Sequence, residues 1–383
     1  MKVLIVYHAG AMENPRHIYR ALAQASDVEL TVIVPTRFKV ERVYEPSGWL
    51  CVEHEENRAG YRLIPVPLRN PYNYWQGFES EPLRRLIKEV RPDIIHVLDE
   101  PTSGCLFQVV WQRLAVPPRS KVLFYGFENL PIRLGRRSRL KWKFTWAQIA
   151  GGAAANSEAL ENLKRAGFPR NRLLKRIFWG ISTDVFRPLN KLTLKNDLNL
   201  DCEHIVGFVG RLVPEKGLRV LLAAMRRLPT TVHCLIIGTG PMRTELELWS
   251  GLPDLKGRIH LFDVMPPERL VEYINCMDVL AIPSLTVSHW KEQYGRVTGE
   301  AMACGVPVVG SDSGAIPEVI DSAGLIVSEG DVSALAKALH TAIFDRGVRE
   351  HLKQQGLQRV EQELSVKAMV QRLMDLYRRV LEA

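Results

Sequence analysis

At 383 residues the chain is longer than one ordinary core needs and suits two domains, taking about 100–200 residues for each. Hydrophobic residues make up 46% and charged residues 24%, close to the globular mean, which excludes a disordered or low-complexity chain. The formal charge of +9 asks for an anionic partner, but charge alone does not choose among nucleic acid, acidic lipid and a phosphorylated small molecule.

The first run, K-V-L-I-V-Y at 2–7, is apolar and ends in turn residues without a signal-peptide cleavage pattern. No stretch of about 18 apolar residues follows anywhere. A cytoplasmic protein is the expectation. Further strand-like runs, V-E-L-T-V-I-V at 28–34, D-I-I-H-V-L at 93–98 and K-V-L-F-Y at 121–125, alternate with helical patterns. Such alternation implies βαβ units around a parallel sheet. After the polar stretch 188–204 the alternation restarts, with I-V-G-F-V at 205–209, V-H-C-L-I-I at 232–237, V-L-A-I at 279–282 and P-V-V at 307–309.

The tail from 365 to 381 places Met369, Leu373, Leu376, Tyr377 and Val380 at helical spacing, a stripe that needs a groove to bury it. The expected architecture is α/β, with two Rossmann-like domains facing a cleft, 1–189 and 190–364, and a helix at 365–383 packing back on the first. The six cysteines, Cys51, Cys105, Cys202, Cys234, Cys276 and Cys304, show no C-x-x-C and no zinc spacing, so they are expected reduced and mostly buried.

The segment P-S-L-T-V-S-H-W-K-E-Q-Y-G-R-V-T-G-E-A-M-A-C-G-V-P-V-V at 283–309 leaves a predicted strand, crosses a loop and enters a helix near Val297. Seven residues separate Glu292 from Glu300, which puts Glu292 in the loop and Glu300 in the first helical turn. The backbone N–H groups of Gly295, Arg296 and Val297 lie between them, and N–H groups at a helix start attract phosphate. A nucleotide sugar needs an acceptor for sugar hydroxyls, donors for the diphosphate and an acceptor for ribose hydroxyls, and the segment offers them in that order. Taken alone, the two glutamates fit a solvated loop charge and a helix-dipole partner equally well.

A second element, G-R-L-V-P-E-K-G at 210–217, also joins a strand to a helix. It sets Gly210, Arg211 and Lys216 at the carboxyl edge of the sheet, where open α/β folds bind ligands. Cations at a helix start run against the dipole, and two of them there fit a diphosphate whose charge grows as the nucleotide departs. The chain has no D-x-D, no G-x-x-x-x-G-K-[ST] and no G-x-G-x-x-G, so no metal, P-loop or dinucleotide signature competes.

These two elements, together with P-D-I-I-H-V from 92, A-N-S-E-A-L at 155–160, W-G-I-S-T-D-V-F-R-P ending at 188, and E-A-M-A-C-G-V-P-V-V, resemble the retaining glycosyltransferases of the GT-B fold, family four, also called group 1. The resemblance extends over most of the chain. It implies that Arg211 and Lys216 bind the diphosphate of a UDP-, GDP- or ADP-sugar, that Glu292 contacts the sugar and Glu300 the ribose, and that no metal or other cofactor takes part. It also implies that Gly10 approaches donor or acceptor, and that Val264 and Met265 in L-F-D-V-M-P-P-E-R-L at 261–270 lie near the base. Two departures stand out: the first loop reads H-A-G-A-M, and Glu128 or Asn129 stands where the family often has a histidine. His8, His96 and Glu100 also fall near predicted strand ends of the first domain; His96, inside an apolar run, suits a core position better than a catalytic one.

Finally, I-R-L-G-R-R-S-R-L-K-W-K-F-T-W at 132–146 has six cations and no acid, interleaved with Trp142, Phe144 and Trp146. The mixture suits an anionic membrane surface, with the cations on lipid phosphates and the aromatics in the interface, as well as it suits a solvated helix with its tryptophans in the core. Nucleic acid is not expected, because no recognised module accompanies the charge. Taken with these residues, the resemblance implies a metal-independent hexosyltransferase that moves sugar to a hydroxyl acceptor, such as a lipid-linked glycan in polysaccharide, lipopolysaccharide or glycolipid assembly, and the basic stretch would make it peripheral on the inner membrane face. A silent sugar-nucleotide-binding scaffold and a sugar-nucleotide epimerase on the same plan are the alternatives.

Overall fold

The computed structural model describes residues 1–12, 16–25, 27–40, 48–58, 60–114 and 120–383, without the side chains of Ala11, Arg58 and Arg137. It divides into two compact units, Met1–Gly180 with Val366–Ala383, and Ile181–Ser365. The sequence-based boundary at 190 therefore falls inside the second unit. The reason is visible in the hydrogen bonds: Ile181 N donates to Leu364 O at 2.8 Å, and Leu189 N donates to Asn275 Oδ1 at 2.7 Å.

In the first unit the strands are β1 Lys2–Val6, β2 Glu29–Pro35, β3 Arg37–Lys39, β4 Trp49–Cys51, β5 Glu56–Arg58, β6 Tyr61–Val66, β7 Ile94–Val97, β8 Lys121–Gly126, β9 Ile149–Ala154 and β10 Leu173–Arg176. One sheet runs β10-β9-β8-β7-β1-β2-β6-β5, while β3 and β4 form a separate antiparallel pair. Its neighbours pair in parallel except β5, which runs antiparallel to β6. The inner strands are apolar on both faces, as a sheet covered on both sides requires, and the order reverses between β1 and β7.

The helix Val366–Glu382 belongs to this unit, against the helix Arg16–Ala23 and β10. Its stripe, which includes Met369, Leu373, Leu376, Tyr377 and Val380, is buried. Tyr377 Oη lies 2.7 Å from His96 Nδ1, so the fully buried His96 is a core residue of β7 and not a catalyst. In the helix Arg136–Ala147 the structure corrects the membrane reading of the tryptophans. Trp142 and Trp146 are buried, and Trp146 Nε1 donates to Pro101 O at 2.9 Å; Phe144 stays exposed, and the side chain of Arg137 lies outside the described residues.

The second unit holds β11 His204–Val209, β12 Val232–Ile237, β13 Ile259–Phe262, β14 Val279–Ile282, β15 Val308–Ser311 and β16 Leu325–Val327. They form one parallel sheet in the order β13-β12-β11-β14-β15-β16, the doubly wound arrangement, with its reversal between β11 and β14. Phe208, Leu221, Ile236 and Leu339 are among its buried core, where the helices Leu218–Met225 and Val332–Phe344 meet. Among the described residues no helix is long and apolar enough to cross a membrane. All six cysteines are free; Cys51 is exposed, Cys202 half-buried and the rest buried.

Candidate active site

The strand order reverses between β11 and β14, the place where open α/β sheets bind ligands, and the two motif loops leave the sheet there. The loop after β11 tightens into a short turn, Pro214–Lys216, and ends at Gly217 with φ +72°. A Cβ on Gly217 would stand 1.8 Å from Pro283 O, so this glycine is required both by its backbone angle and by the loop beside it. Leu285 N donates to Glu215 O at 2.8 Å, which ties the loop after β14 to the loop after β11.

Across this junction Lys216 Nζ sits 2.6 Å from Glu292 Oε2, and Ser284 Oγ donates to the same oxygen at 3.1 Å. The Lys216 ammonium also lies 4.8 Å from the ring centre of Trp290. Glu292 is held by its backbone as well. Its carbonyl accepts from Ala315 N at 2.9 Å, and Gly314, with φ +53°, has no space for a Cβ, which would lie 2.1 Å from that carbonyl oxygen. Ser311 Oγ donates to Ser284 O at 2.6 Å, and Thr286 Oγ1 lies 3.0 Å from Ser313 Oγ, so hydroxyl groups staple the loop to the end of β15 and the turn that follows it.

The helix Arg296–Ala303 opens beside this loop with Gly295 as its left-handed N-cap, φ +65°. The first intrahelical donor is Thr298 N, to Gly295 O at 2.8 Å, so the N–H groups of Gly295, Arg296 and Val297 stand at a helix start, the kind of place that attracts anions. Glu300 is not in the first turn as the spacing suggested; it lies one turn further, buried, with Oε1 2.9 Å from Arg296 Nε. Arg211 faces Glu215 at 3.9 Å. The two cations are therefore each matched by an acid, and Arg296 by Glu300.

Gly210 carries its carbonyl against Gly238, whose added Cβ would stand 1.9 Å from Gly210 O. Val264, exposed, and Met265, half-buried, lie in the loop after the edge strand β13, at the same carboxyl edge of the sheet. The structure brings Lys216 and Glu292 together directly and places Arg211, Gly295, Arg296, Val297 and Glu300 on the two elements that flank them. Ser284 escaped the sequence reading; its signal was a hydroxyl directly after the apolar run of β14.

In the first unit Gly10 is buried in the turn His8–Ala11. A Cβ there would meet Tyr19 Oη at 2.4 Å, so the glycine is explained by packing without invoking a ligand. His8 stacks on Tyr74 at 3.7 Å between ring centres, and burial lowers its pKa to about 3. Asn129 is fully buried and its carbonyl accepts from Asn162 Nδ2 at 2.8 Å, a structural position.

Glu128 is half-buried and lines a cavity of about 80 Å³ with Glu100, Thr102, Phe124, Gly126 and Leu160 among its other walls. Of the two residues considered for the family's histidine, Glu128 lines this cavity and Asn129 does not. Glu100 Oε1 accepts from Phe127 N at 2.7 Å and Glu128 N at 3.1 Å. Burial nevertheless pushes the Glu100 carboxyl up to about 7, and does the same to Asp99 beside it.

The family model of glycosyl transferases group 1 matches residues 191–359, nearly all of the second unit. A D-inositol 3-phosphate glycosyltransferase from Mycobacteroides abscessus is 33% identical over 177 residues, 44% of this chain and 38% of that protein. The matches to such curated relatives span less than half of the relatives' own length. Among solved structures, sucrose-phosphate synthase from Thermosynechococcus elongatus aligns over 100% of this chain and 99% of its own with a TM-score of 0.75 at 19% identity. Anabaena Alr3699/HepE in complex with UDP aligns over 98% and 99% with a TM-score of 0.74 at 17% identity. At these identities the likeness establishes the fold, two Rossmann-like domains of the GT-B type.

Proposed function

We propose, from the match of residues 191–359 to the glycosyl transferases group 1 family, that this chain is a glycosyltransferase that takes a hexose from a nucleotide diphosphate sugar to a hydroxyl acceptor with retention and without a metal. The observation that carries the reading is the Lys216–Glu292–Ser284 contact at the strand-order reversal, beside the start of the helix Arg296–Ala303. Lys216, Arg211 and the N–H groups of Gly295, Arg296 and Val297 receive the diphosphate. When it does so, Lys216 exchanges a carboxylate for a phosphate, and Glu292 is released to accept from sugar hydroxyls. Glu300 receives the ribose, and Val264 and Met265 border the base.

In a retaining transfer of this kind the acceptor attacks from the face the nucleotide leaves, and the leaving phosphate takes its proton. The cations then offset charge on the departing diphosphate. No enzyme nucleophile is needed. UDP is the first nucleotide to try, because the Anabaena protein is described with UDP and with UDP-glucose. A lipid-linked glycan is the acceptor class that the family resemblance suggests.

Calorimetry and slow donor hydrolysis across UDP-, GDP- and ADP-sugars test this. One nucleotide sugar is expected to bind and to be hydrolysed, with hydrolysis unchanged by chelator and the anomeric configuration kept in the transfer product. Donor binding that survives loss of Arg211, Lys216 and Glu292 together would sink the site. The departure at Glu128 keeps a silent binder as the second reading, and binding without hydrolysis or transfer would favour it; a changed sugar with no transfer would favour the epimerase.

A further inference from the structure

The exposed apolar side chains of the first unit include a cluster that crosses from one helix to another. Trp111, 48% exposed, lies on the helix Gly104–Leu114; Leu140 at 74% and Phe144 at 42% lie one turn apart on the helix Arg136–Ala147. Phe144 stacks on Trp111 with ring centres 5.1 Å apart and planes 25° apart, which joins the two helices into one patch. Isolated exposed apolar residues are ordinary; several that share a face mark a contact surface.

The surroundings of the patch are cationic. Arg136, Arg139, Lys141 and Lys143 are all exposed, and Arg136, Leu140 and Lys143 fall on one face by helical spacing. Lys141 lays its ammonium over the Phe107 ring at 4.0 Å, with its stem along apolar surface. No acidic residue occurs between Glu128 and Glu158. The neighbouring helix Ser80–Val90 does carry Glu81 and Glu89; Arg84 takes the first at 3.1 Å and Arg62 the second at 3.4 Å.

We propose that Trp111, Leu140 and Phe144, ringed by Arg136, Arg139 and Lys143, form a surface that docks on an anionic phospholipid bilayer. The cations meet lipid phosphates while the three apolar side chains enter the interface. Leu140, the most exposed of the three, decides against nucleic acid, since an aliphatic side chain gains nothing from base stacking. The patch also replaces the aromatic set that the sequence suggested, because Trp142 and Trp146 are in the core. The inference goes beyond the transferase reading and needs no donor.

The test is cosedimentation of the full chain at low salt with vesicles of phosphatidylcholine plus phosphatidylglycerol, against vesicles of phosphatidylcholine alone. Binding is expected only to the anionic vesicles and is expected to weaken as salt is raised. Arg136→Gln, Arg139→Gln and Lys143→Gln should each lower affinity roughly fivefold. Leu140→Ser with Phe144→Ser should lower it at least roughly tenfold with no change in nucleotide binding, and Leu140→Ser alone, which breaks no ring contact, should lower it with no fall in melting temperature. Three outcomes overturn the proposal: no binding to anionic vesicles, equal binding to both vesicle types, or binding that both variant sets leave intact. Self-association abolished by the Leu140 and Phe144 changes, in place of vesicle binding, overturns it too and makes the patch a contact between copies.

Discussion

Lys216 and Glu292 pose the sharpest question at the scale of single residues, because their side chains are only 17% and 8% exposed and their charges answer each other. Removing one partner of such a pair leaves the other buried and uncompensated. Lys216→Met is therefore expected to cost about 3 kcal/mol, toward the lower end for buried pairs because Ser284 still donates to Glu292. Denaturant midpoints measure it, and the double change Lys216→Met with Glu292→Leu should cost less than the sum of the singles. Hydrolysis of the bound donor should fall at least about a hundredfold in either single variant. Glu100 supplies a pH signature. Its carboxyl is pushed by burial from 4.5 to about 7, so between those values the unfolded chain releases a proton that the folded chain keeps, and this group lowers stability as pH rises through that window. His8 and His96, lowered by burial to about 3 and about 4, act in the opposite sense: they cost stability as pH falls below 6.5. The clean measurement is thus the difference between Glu100→Gln and the parent. The variant should gain relative stability, on the order of 1 kcal/mol after solvent screening, as pH rises from about 4.5 to 7. A flat difference across that range would show that Glu100 keeps an ordinary carboxyl.

Elements set where these side chains stand, and two glycines carry much of that placement. Gly314→Ala drives a methyl group into the backbone carbonyl of Glu292 at a left-handed φ. It should displace the loop and reduce donor hydrolysis about as far as Glu292→Gln does, roughly a hundredfold. Gly330→Ala is the control: its φ of +80° is also left-handed, yet nothing lies within 4 Å of the added Cβ, so it should cost about 1 kcal/mol and leave hydrolysis unchanged. This dependence on backbone packing also explains which elements the sequence makes legible. The strands β1, β2, β7, β8, β11, β12 and β14 are read directly, because each is a nearly continuous apolar run of the kind a doubly covered sheet demands. β9 is hidden by its composition, I-A-G-G-A-A. A Cβ on Gly152 would lie 2.2 Å from the Phe124 ring, so its glycine answers to a neighbouring strand that local sequence does not name. β6 contains Pro65 and β10 ends in Lys175 and Arg176, which mask strand signals in the same way. The motif spacing put Lys216 and Glu292 on loops and Glu300 on a helix, since loop and helix order along the chain is local information. It did not reveal that Lys216 and Glu292 touch, that Ser284 joins them or that Glu300 pairs with Arg296, because those facts depend on strand order and helix phase.

Over the whole molecule the chain is not cut into consecutive pieces. The second unit, Ile181–Ser365, is continuous, whereas the first needs both Met1–Gly180 and Val366–Ala383. Every residue assigned to the donor except Gly10 lies in the continuous unit. Residues 181–365 expressed alone should therefore fold cooperatively and bind the same nucleotide as the full chain, which calorimetry would show. Ending the chain at Ser365 should have the opposite effect on the first unit. The deleted helix buries eight residues, Tyr377 and Leu376 among them. At about 1.5–3 kcal/mol for each large apolar side chain, its removal takes away as much as the roughly 5–15 kcal/mol by which a domain is usually stable. In a thermal scan followed by calorimetry and by nucleotide binding, the truncated chain should lose the unfolding transition of the first unit and keep nucleotide binding until the second unit melts. Tyr377→Phe is the graded version: it removes the hydrogen bond to His96 but leaves the ring in place, and should cost about 1–2 kcal/mol, confined to the first unit. If the chain ending at Ser365 instead melts like the full protein, the helix is an accessory to the first unit. If nucleotide binding is lost together with the helix, the donor site is not the property of the second unit that its residues make it.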